Sequence, residues 1–187
     1  MEGLIQRVKS KQKKFFEINK SIKSLDATLN QCLPCENECI KLISFDGGFS
    51  SISFISLVAQ KENILELTAS TLRIGEKQFI HLARLSQAGK LHGATFFLST
   101  LMKEDKKRIN KYNYYGKFEE ICKINKWEKI VVNNHSKIIL MRTQDNFYTI
   151  ETSSNLNENP KIEQYSFEND KTLYDFYYNF FEKLKGR

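Results

Sequence analysis

Residues 135–155 read HSKIILMRTQDNFYTIETSSN, and this segment is the most informative part of the chain about its fold. Two apolar runs flank the polar tetrapeptide TQDN, whose residue types favour turns, so the stretch predicts two strands joined as a hairpin. Successive strand residues point to opposite faces, and His135 and Lys137 are therefore expected to face the same way. The returning strand is expected to bring Ser153 and Asn155 back beside them.

These four side chains offer an imidazole, an ammonium, a hydroxyl and an amide at one spot. Lys137 and Asn155 can hold the non-bridging oxygens of a phosphodiester, and a neutral His135 can attack its phosphorus. The set of residue types therefore predicts a phosphodiester-binding active site.

HSK followed by TSSN resembles H-x-K followed by G-S-x-N, the pattern of the phospholipase D superfamily. The resemblance implies that His135 is the nucleophile and that Lys137 binds the phosphate. Thr152 replaces the glycine of the pattern, whereas Ser153 and Asn155 keep its serine and asparagine.

Two further residues follow from the resemblance. Glu163, in NPKIEQY, is similar to the downstream glutamate that orients the histidine, and Arg142 stands where the family pattern has an aspartate. We include Glu163 among the catalytic candidates and Arg142 among the substrate-binding ones. The chain also resembles the single-motif members found in bacteria and their phages. In this superfamily two H-x-K motifs build one site, so a chain with one motif is expected to form a homodimer. The resemblance also implies that the reaction needs no metal or other cofactor.

Strand and helix patterns alternate through the rest of the chain, which is typical of a layered α/β fold. Strands are expected at 39–45, 63–71, 91–100 and 127–133, and helices at 50–60, 75–89, 118–126 and 172–187. We therefore predict a phospholipase D-like domain over 39–187, with a mixed, largely parallel sheet flanked by helices.

The N-terminal part, residues 1–38, is expected to be a helical appendage with a cysteine-containing connector. Apolar residues recur at three- and four-residue steps over 4–31, which indicates one amphipathic helix, and Pro34 follows its end. The opposite face is rich in lysine. That face is either an ordinary solvated surface or a basic arm for nucleic acid.

Two residues near predicted strand ends are further substrate-binding candidates. Asp46 precedes Gly47 and Gly48 and either lines the pocket or belongs to a plain turn. Arg73 follows the strand predicted at 63–71, where its guanidinium could contact a phosphate chain.

The cysteines Cys32, Cys35 and Cys39 form the pattern C-x2-C-x3-C, which could hold zinc. A fourth ligand of convincing spacing is missing from the sequence around them. We therefore expect reduced thiols and no metal site, with a zinc-stabilised scaffold as a competing hypothesis.

Composition narrows the class of partner. The chain has 187 residues and a net charge of +7, which favours an anionic partner, here nucleic acid, either DNA or RNA. Neither a membrane span nor a signal peptide is evident, so a cytoplasmic protein is expected. The function predicted is a metal-independent phosphodiesterase, most simply a nuclease. The alternative, to which Arg142 and Thr152 point, is a catalytically degenerate nucleic-acid-binding protein.

Overall fold

A computed structural model describes residues 13–19, 33–44, 49–104, 114–157 and 161–186. Its strands are β1 Lys13–Asn19, β2 Glu38–Ser44, β3 Glu66–Thr71, β4 Ala94–Ser99, β5 Glu128–Val132, β6 Ile138–Arg142, β7 Phe147–Thr152 and β8 Glu163–Asn169. Its helices are α1 Ser51–Lys61, α2 Glu76–Gln87, α3 Thr100–Glu104, α4 Tyr114–Asn125 and α5 Lys171–Lys185. The eight strands form one sheet in the order β1-β2-β8-β7-β6-β3-β4-β5.

The sheet is mixed, as predicted, but its antiparallel pairings outnumber its parallel ones. The pairs β1/β2, β3/β4 and β4/β5 are parallel, whereas β2/β8, β8/β7, β7/β6 and β6/β3 are antiparallel. The predicted hairpin β6–β7 is confirmed, and it lies in the middle of the sheet with β8 beside it. A hairpin requires antiparallel pairing, so a centre built from hairpins removes the expected parallel majority.

Strand β8 was not predicted. Its sequence EQYSFEN carries two glutamates, and we treated Glu163 only as a site residue. In the structure β8 pairs with β7 on one side and with β2 on the other. Three buried polar or charged residues lie in the second half of the strand, and a fourth follows it directly: Ser166, Glu168, Asn169 and Asp170. Lys41 of β2 donates to Ser166, Asn169 donates to Pro34 and Asn146, and Asp170 accepts from the first amides of α5. A sequence pattern cannot reveal the partners that are distant along the chain.

The predicted helix over 4–31 is wrong where the structure describes it, because Lys13–Asn19 forms strand β1. This strand pairs in parallel with β2, from Lys13 opposite Glu38 to Asn19 opposite Ser44. The free edge of β2 offers unpaired backbone groups, and pairing with that edge overrides the helical periodicity. The remaining residues of 4–31 lie outside the described residues, and the division into 1–38 and 39–187 stays a prediction.

Both faces of the sheet are covered by helices. On the first face, three helices contribute phenylalanines to the main hydrophobic core: Phe54 of α1, Phe79 of α2 and Phe118 of α4. On the second face Phe181 of α5 packs with Phe97 and other residues in a smaller cluster. Alternate residues of β6 serve the two clusters, as strand geometry requires. Among the described residues, no helix is long and apolar enough to cross a membrane.

Candidate active site

The candidate site lies along one edge of the sheet, which we call the site edge. Strands β3 and β7 end there, and the antiparallel strands β6 and β8 begin there, with Ser70 opposite Ile138 and Thr152 opposite Tyr165. Strand β2 ends at the same edge, where Ser44 pairs with Glu163. The topology therefore gathers residues far apart in the sequence at a single edge.

His135 and Lys137 lie just before β6 and not within it, because the strand begins at Ile138. The backbone pairing nevertheless continues to Lys137, whose carbonyl oxygen accepts a hydrogen bond of 3.1 Å from the Thr152 amide. Lys137 Nζ donates to the backbone oxygen of His135 at 2.8 Å and lies 3.4 Å from His135 Nδ1. The ammonium and the exposed imidazole are thus adjacent, although a loop and not a strand holds them.

The charge of Lys137 is poorly stabilised in this position. Burial lowers the pKa of the Lys137 ammonium below its ordinary value, and the negative charge of Glu163 opposes that shift without cancelling it. Glu163 itself is 5% exposed. A buried carboxylate therefore lies close enough to influence the lysine, and a second negative charge, such as a phosphate, would stabilise the ammonium further.

Ser153 and Glu163 are in direct contact, since Ser153 Oγ donates a hydrogen bond to Glu163 Oε2. The Gln164 amide donates to Ser153 Oγ at 3.0 Å, and the Ser153 amide donates to the Gln164 oxygen at 3.2 Å. These bonds tie the end of β7 to the beginning of β8. The orientation of His135 by Glu163, which the resemblance implies, stays a prediction.

Asn155 lies in the loop after β7 and reaches the end of β3. Thr71 Oγ1 is 3.4 Å from Asn155 Oδ1, and the Leu156 amide donates to the same hydroxyl at 3.1 Å. Gly75 in turn donates its amide to the Leu156 oxygen at 2.8 Å. With Oδ1 beside the Thr71 hydroxyl, Nδ2 is the end of the Asn155 amide that can donate to an anion. No motif in the sequence pointed to this role for Thr71.

The three substrate-binding candidates have different outcomes. Arg73 lies at the site edge, where its backbone oxygen accepts from Thr71 Oγ1 at 2.9 Å. Arg142 lies at the other end of β6, where its Nε is 3.3 Å from Glu66 Oε2, so the structure does not bring it to the site edge. Arg142 is five positions along the chain from Lys137, which corresponds to roughly 16 Å at about 3.3 Å per strand residue. Asp46 lies outside the described residues.

The cysteine hypothesis is only partly visible, because Cys32 lies outside the described residues. Cys35 is exposed, whereas Cys39 and Cys122 are buried. Burial raises the pKa of the Cys122 thiol to about 12, which keeps it protonated at neutral pH. Across the described ranges, no group of three or more His, Cys, Asp or Glu side chains could hold a metal ion.

Comparison with known proteins identifies the fold. No family model matches the sequence, and no curated protein matches it. Among solved structures, the chain is similar to the crystal structure of the polyphosphate kinase from Porphyromonas gingivalis, with a TM-score of 0.56 and 15% sequence identity. The match covers 72% of this chain and 24% of the kinase chain, so this chain spans about a quarter of that protein.

The mixed sheet flanked by helices is therefore a fold that this chain shares with the kinase. The predicted α/β architecture is confirmed, while membership of the phospholipase D superfamily and the chemistry of the H-x-K and S-x-N residues stay predictions.

Proposed function

We propose that the protein is a metal-independent phosphodiesterase, most simply a nuclease, that acts through a phosphohistidine intermediate. One observation carries this proposal. At one edge of the mixed sheet, Lys137 lies against His135 and within electrostatic reach of Glu163, and Asn155 approaches the same edge through Thr71. This arrangement supplies a nucleophile, a cation and an amide donor, which are the groups that a phosphodiester requires.

The proposed reaction has two steps. His135 Nε2 attacks phosphorus, a P–N bond forms, and the bond from phosphorus to the leaving oxygen breaks as that oxygen takes a proton from a second histidine. The second histidine then removes a proton from water, whose oxygen attacks phosphorus and breaks the P–N bond. Lys137 and Asn155 stabilise the charge on the non-bridging oxygens in both steps. Lys137 must turn from His135 towards the phosphate before the first step.

The second histidine is the His135 of another copy of the chain. The sequence holds one H-x-K motif, so a site with two histidines requires two chains related by a two-fold axis. A neutral imidazole is the form that can attack phosphorus, and a protonated one is the form that can donate to the leaving oxygen.

The substrate proposed is nucleic acid. The net charge of +7 supports an anionic polymer over a neutral one. The structural neighbour is named a polyphosphate kinase, so inorganic polyphosphate is the other phosphate chain that a test must include.

The test is cleavage of end-labelled single- and double-stranded DNA and RNA, and of polyphosphate, in the presence of EDTA. Wild type is compared with His135→Ala and with the matched control His92→Ala, which changes an exposed histidine before β4. We expect wild type and His92→Ala to cleave nucleic acid equally, and His135→Ala to lose on the order of 1,000-fold or more. A covalent protein–nucleotide adduct, stable in alkaline denaturant, should form only where His135 is present.

Other outcomes would change the proposal. Cleavage that survives His135→Ala would exclude the phosphohistidine route. Binding of nucleic acid without cleavage by wild type would favour the degenerate, binding-only alternative. Sedimentation velocity tests the shared site, because an active monomer is incompatible with two His135 side chains in one site.

A further inference from the structure

Three polar side chains, those of Ser70 and of the two residues that flank His135 in the chain, form a closed ring of hydrogen bonds. Asn134 Nδ2 donates to Ser70 Oγ at 2.9 Å, and Ser136 Oγ donates to Asn134 Oδ1 at 2.8 Å. Ser70 Oγ and Ser136 Oγ are 2.6 Å apart, which closes the ring. Since the Ser136 proton points to Asn134, the Ser70 hydroxyl is the donor in that last bond. The ring joins β3 to the residues on either side of His135.

Backbone groups fix the direction of the Asn134 amide. The Ser136 N–H, which can only donate, lies 2.9 Å from Oδ1. The Phe97 carbonyl oxygen, which can only accept, lies 3.0 Å from Nδ2. A reversed amide would place donor against donor and acceptor against acceptor. Asn134 therefore holds the loop to β3 through Ser70 and to β4 through Phe97 in one orientation.

The residues of the sheet that hold Asn134 are buried, whereas the loop residues beside it are exposed. Ser70 is 1% exposed and Phe97 is fully buried at 0%, so the sheet side of the ring is rigid. His135 and Ser136 are exposed on the loop side. A hydrogen-bonded group of this kind transmits the rigidity of the sheet to a solvent-facing loop, as supporting residues of active sites do.

We propose that Asn134 is a positioning residue that sets the geometry of His135 for reaction. Asn134 acts through Ser136 and the loop backbone and does not touch substrate. The inference rests on the proposed function for its catalytic consequence, because positioning matters only if His135 reacts. Displacement of a reacting group by about 1 Å can cost on the order of 100-fold in rate.

The chain offers a matched control, because Asn133 precedes Asn134 and exposes its side chain to solvent. The experiment compares Asn134→Ala with Asn133→Ala by NMR of the histidine rings. The protein has three histidines, so the His135 signal can be assigned from the spectrum of His135→Ala. Spectra are recorded across pH, with and without inorganic phosphate.

We expect Asn134→Ala to move the His135 signal and to weaken its response to phosphate about 10-fold, while the signals of His81 and His92 stay in place. Asn133→Ala should change none of the three. In the cleavage assay Asn134→Ala should lower kcat on the order of 100-fold, with KM changed by less than about threefold.

A second pair of variants tests the ring itself. Ser136→Thr keeps a hydroxyl in the ring and should retain wild-type kcat within about threefold. Ser136→Ala removes the hydroxyl and should lower kcat about 10-fold. Combined with Asn134→Ala, the alanine change should cost little more, because residues of one hydrogen-bonded unit are not additive.

A His135 signal that moves no more in Asn134→Ala than in Asn133→Ala would overturn the assignment. Movement of all three histidine signals together would do so as well, since Asn134 would then support the whole fold. The NMR readout does not require cleavage. An inactive wild type with the expected His135 shifts would refute the proposed function and leave the positioning role standing.

Discussion

Two polar clusters lie at opposite edges of the same sheet, and they differ in how well each stabilises its charged group. Away from the site edge, the Glu62 carboxylate accepts hydrogen bonds from Thr143 Oγ1 at 2.5 Å, from Asn146 Nδ2 at 3.0 Å and from Tyr148 OH at 2.7 Å. At the site edge, Lys137 donates to the His135 backbone at 2.8 Å from an exposed loop. In the first cluster the side chains bond to one another, whereas the second cluster faces solvent.

The pKa shifts express this difference. Burial raises the pKa of Glu62, but the hydrogen bonds from Thr143, Asn146 and Tyr148 outweigh it and hold the pKa below its ordinary value. Burial lowers the pKa of Lys137, and the charge of Glu163 does not compensate. The protein thus stabilises the charged form of Glu62 by itself, whereas the charged form of Lys137 would gain from a bound anion. The first arrangement is typical of a structural cluster and the second of a binding site.

The largest effect on stability is expected from breaking the closed cluster. Glu62→Ala leaves the donors of Thr143, Asn146 and Tyr148 without their acceptor, and the first and last of these residues are buried. We expect the free energy of unfolding to fall by about 2–4 kcal/mol, measured by urea denaturation. Phosphate binding at the site edge, measured on the folded fraction, should be unchanged.

Glu120→Ala is the matched control for this change, because Glu120 is exposed on α4. It should alter the free energy of unfolding by less than about 0.5 kcal/mol. The advantage of wild type over Glu62→Gln should be complete above the ordinary pKa of glutamate, 4.5, and should shrink as pH falls below it. Equal stabilities of Glu62→Ala and Glu120→Ala would contradict the structural role of the cluster.

A smaller effect is expected at Thr71, which contributes both to the stability of the fold and to the candidate site. Thr71→Val keeps the shape of the side chain but removes the hydroxyl between Asn155 and the Leu156 amide. We expect a loss of about 1–2 kcal/mol in the free energy of unfolding and about a 10-fold loss in cleavage or phosphate affinity. Thr71→Ser keeps the hydroxyl and should restore most of both, and equal behaviour of the valine and serine variants would exclude a role for the hydroxyl.

The smallest effect is a shift in pH dependence. Because burial lowers the pKa of Lys137, phosphate affinity should fall with rising pH at a point below the ordinary lysine value of 10.5. Glu163→Gln removes the negative charge that opposes this shift, so the fall should move to still lower pH. Phosphate titrations followed by NMR measure it, and an upward shift in Glu163→Gln would contradict the proximity of the two charges. Glu151→Gln is the control, because the carboxylate of Glu151 accepts a hydrogen bond from Tyr177 of α5.

Sequence patterns located most of the elements but not their neighbours in space. The hairpin β6–β7 was predictable because alternation and a polar turn act between residues close in sequence. Strand β8 was not predictable, because Ser166 and Glu168 are residue types that usually lie on the surface. Both are buried here, and Lys41 Nζ of β2 donates to Ser166 Oγ at 2.6 Å. Strand β1 was predicted as a helix for a related reason, since the edge of β2 decides its conformation.

At the candidate site, the functional groups follow from the sequence alone, because each side chain carries its group whatever surrounds it: His135, Lys137, Ser153, Asn155 and Glu163. How these groups are held depends on the folded sheet. The structure places His135 and Lys137 before β6, leaves Arg142 at the far end of β6, and gives Thr71 and Asn134 hydrogen-bond partners at the site edge. The physical reason is that a side chain brings its chemistry with it, whereas hydrogen-bond partners distant in sequence exist only once the sheet has formed.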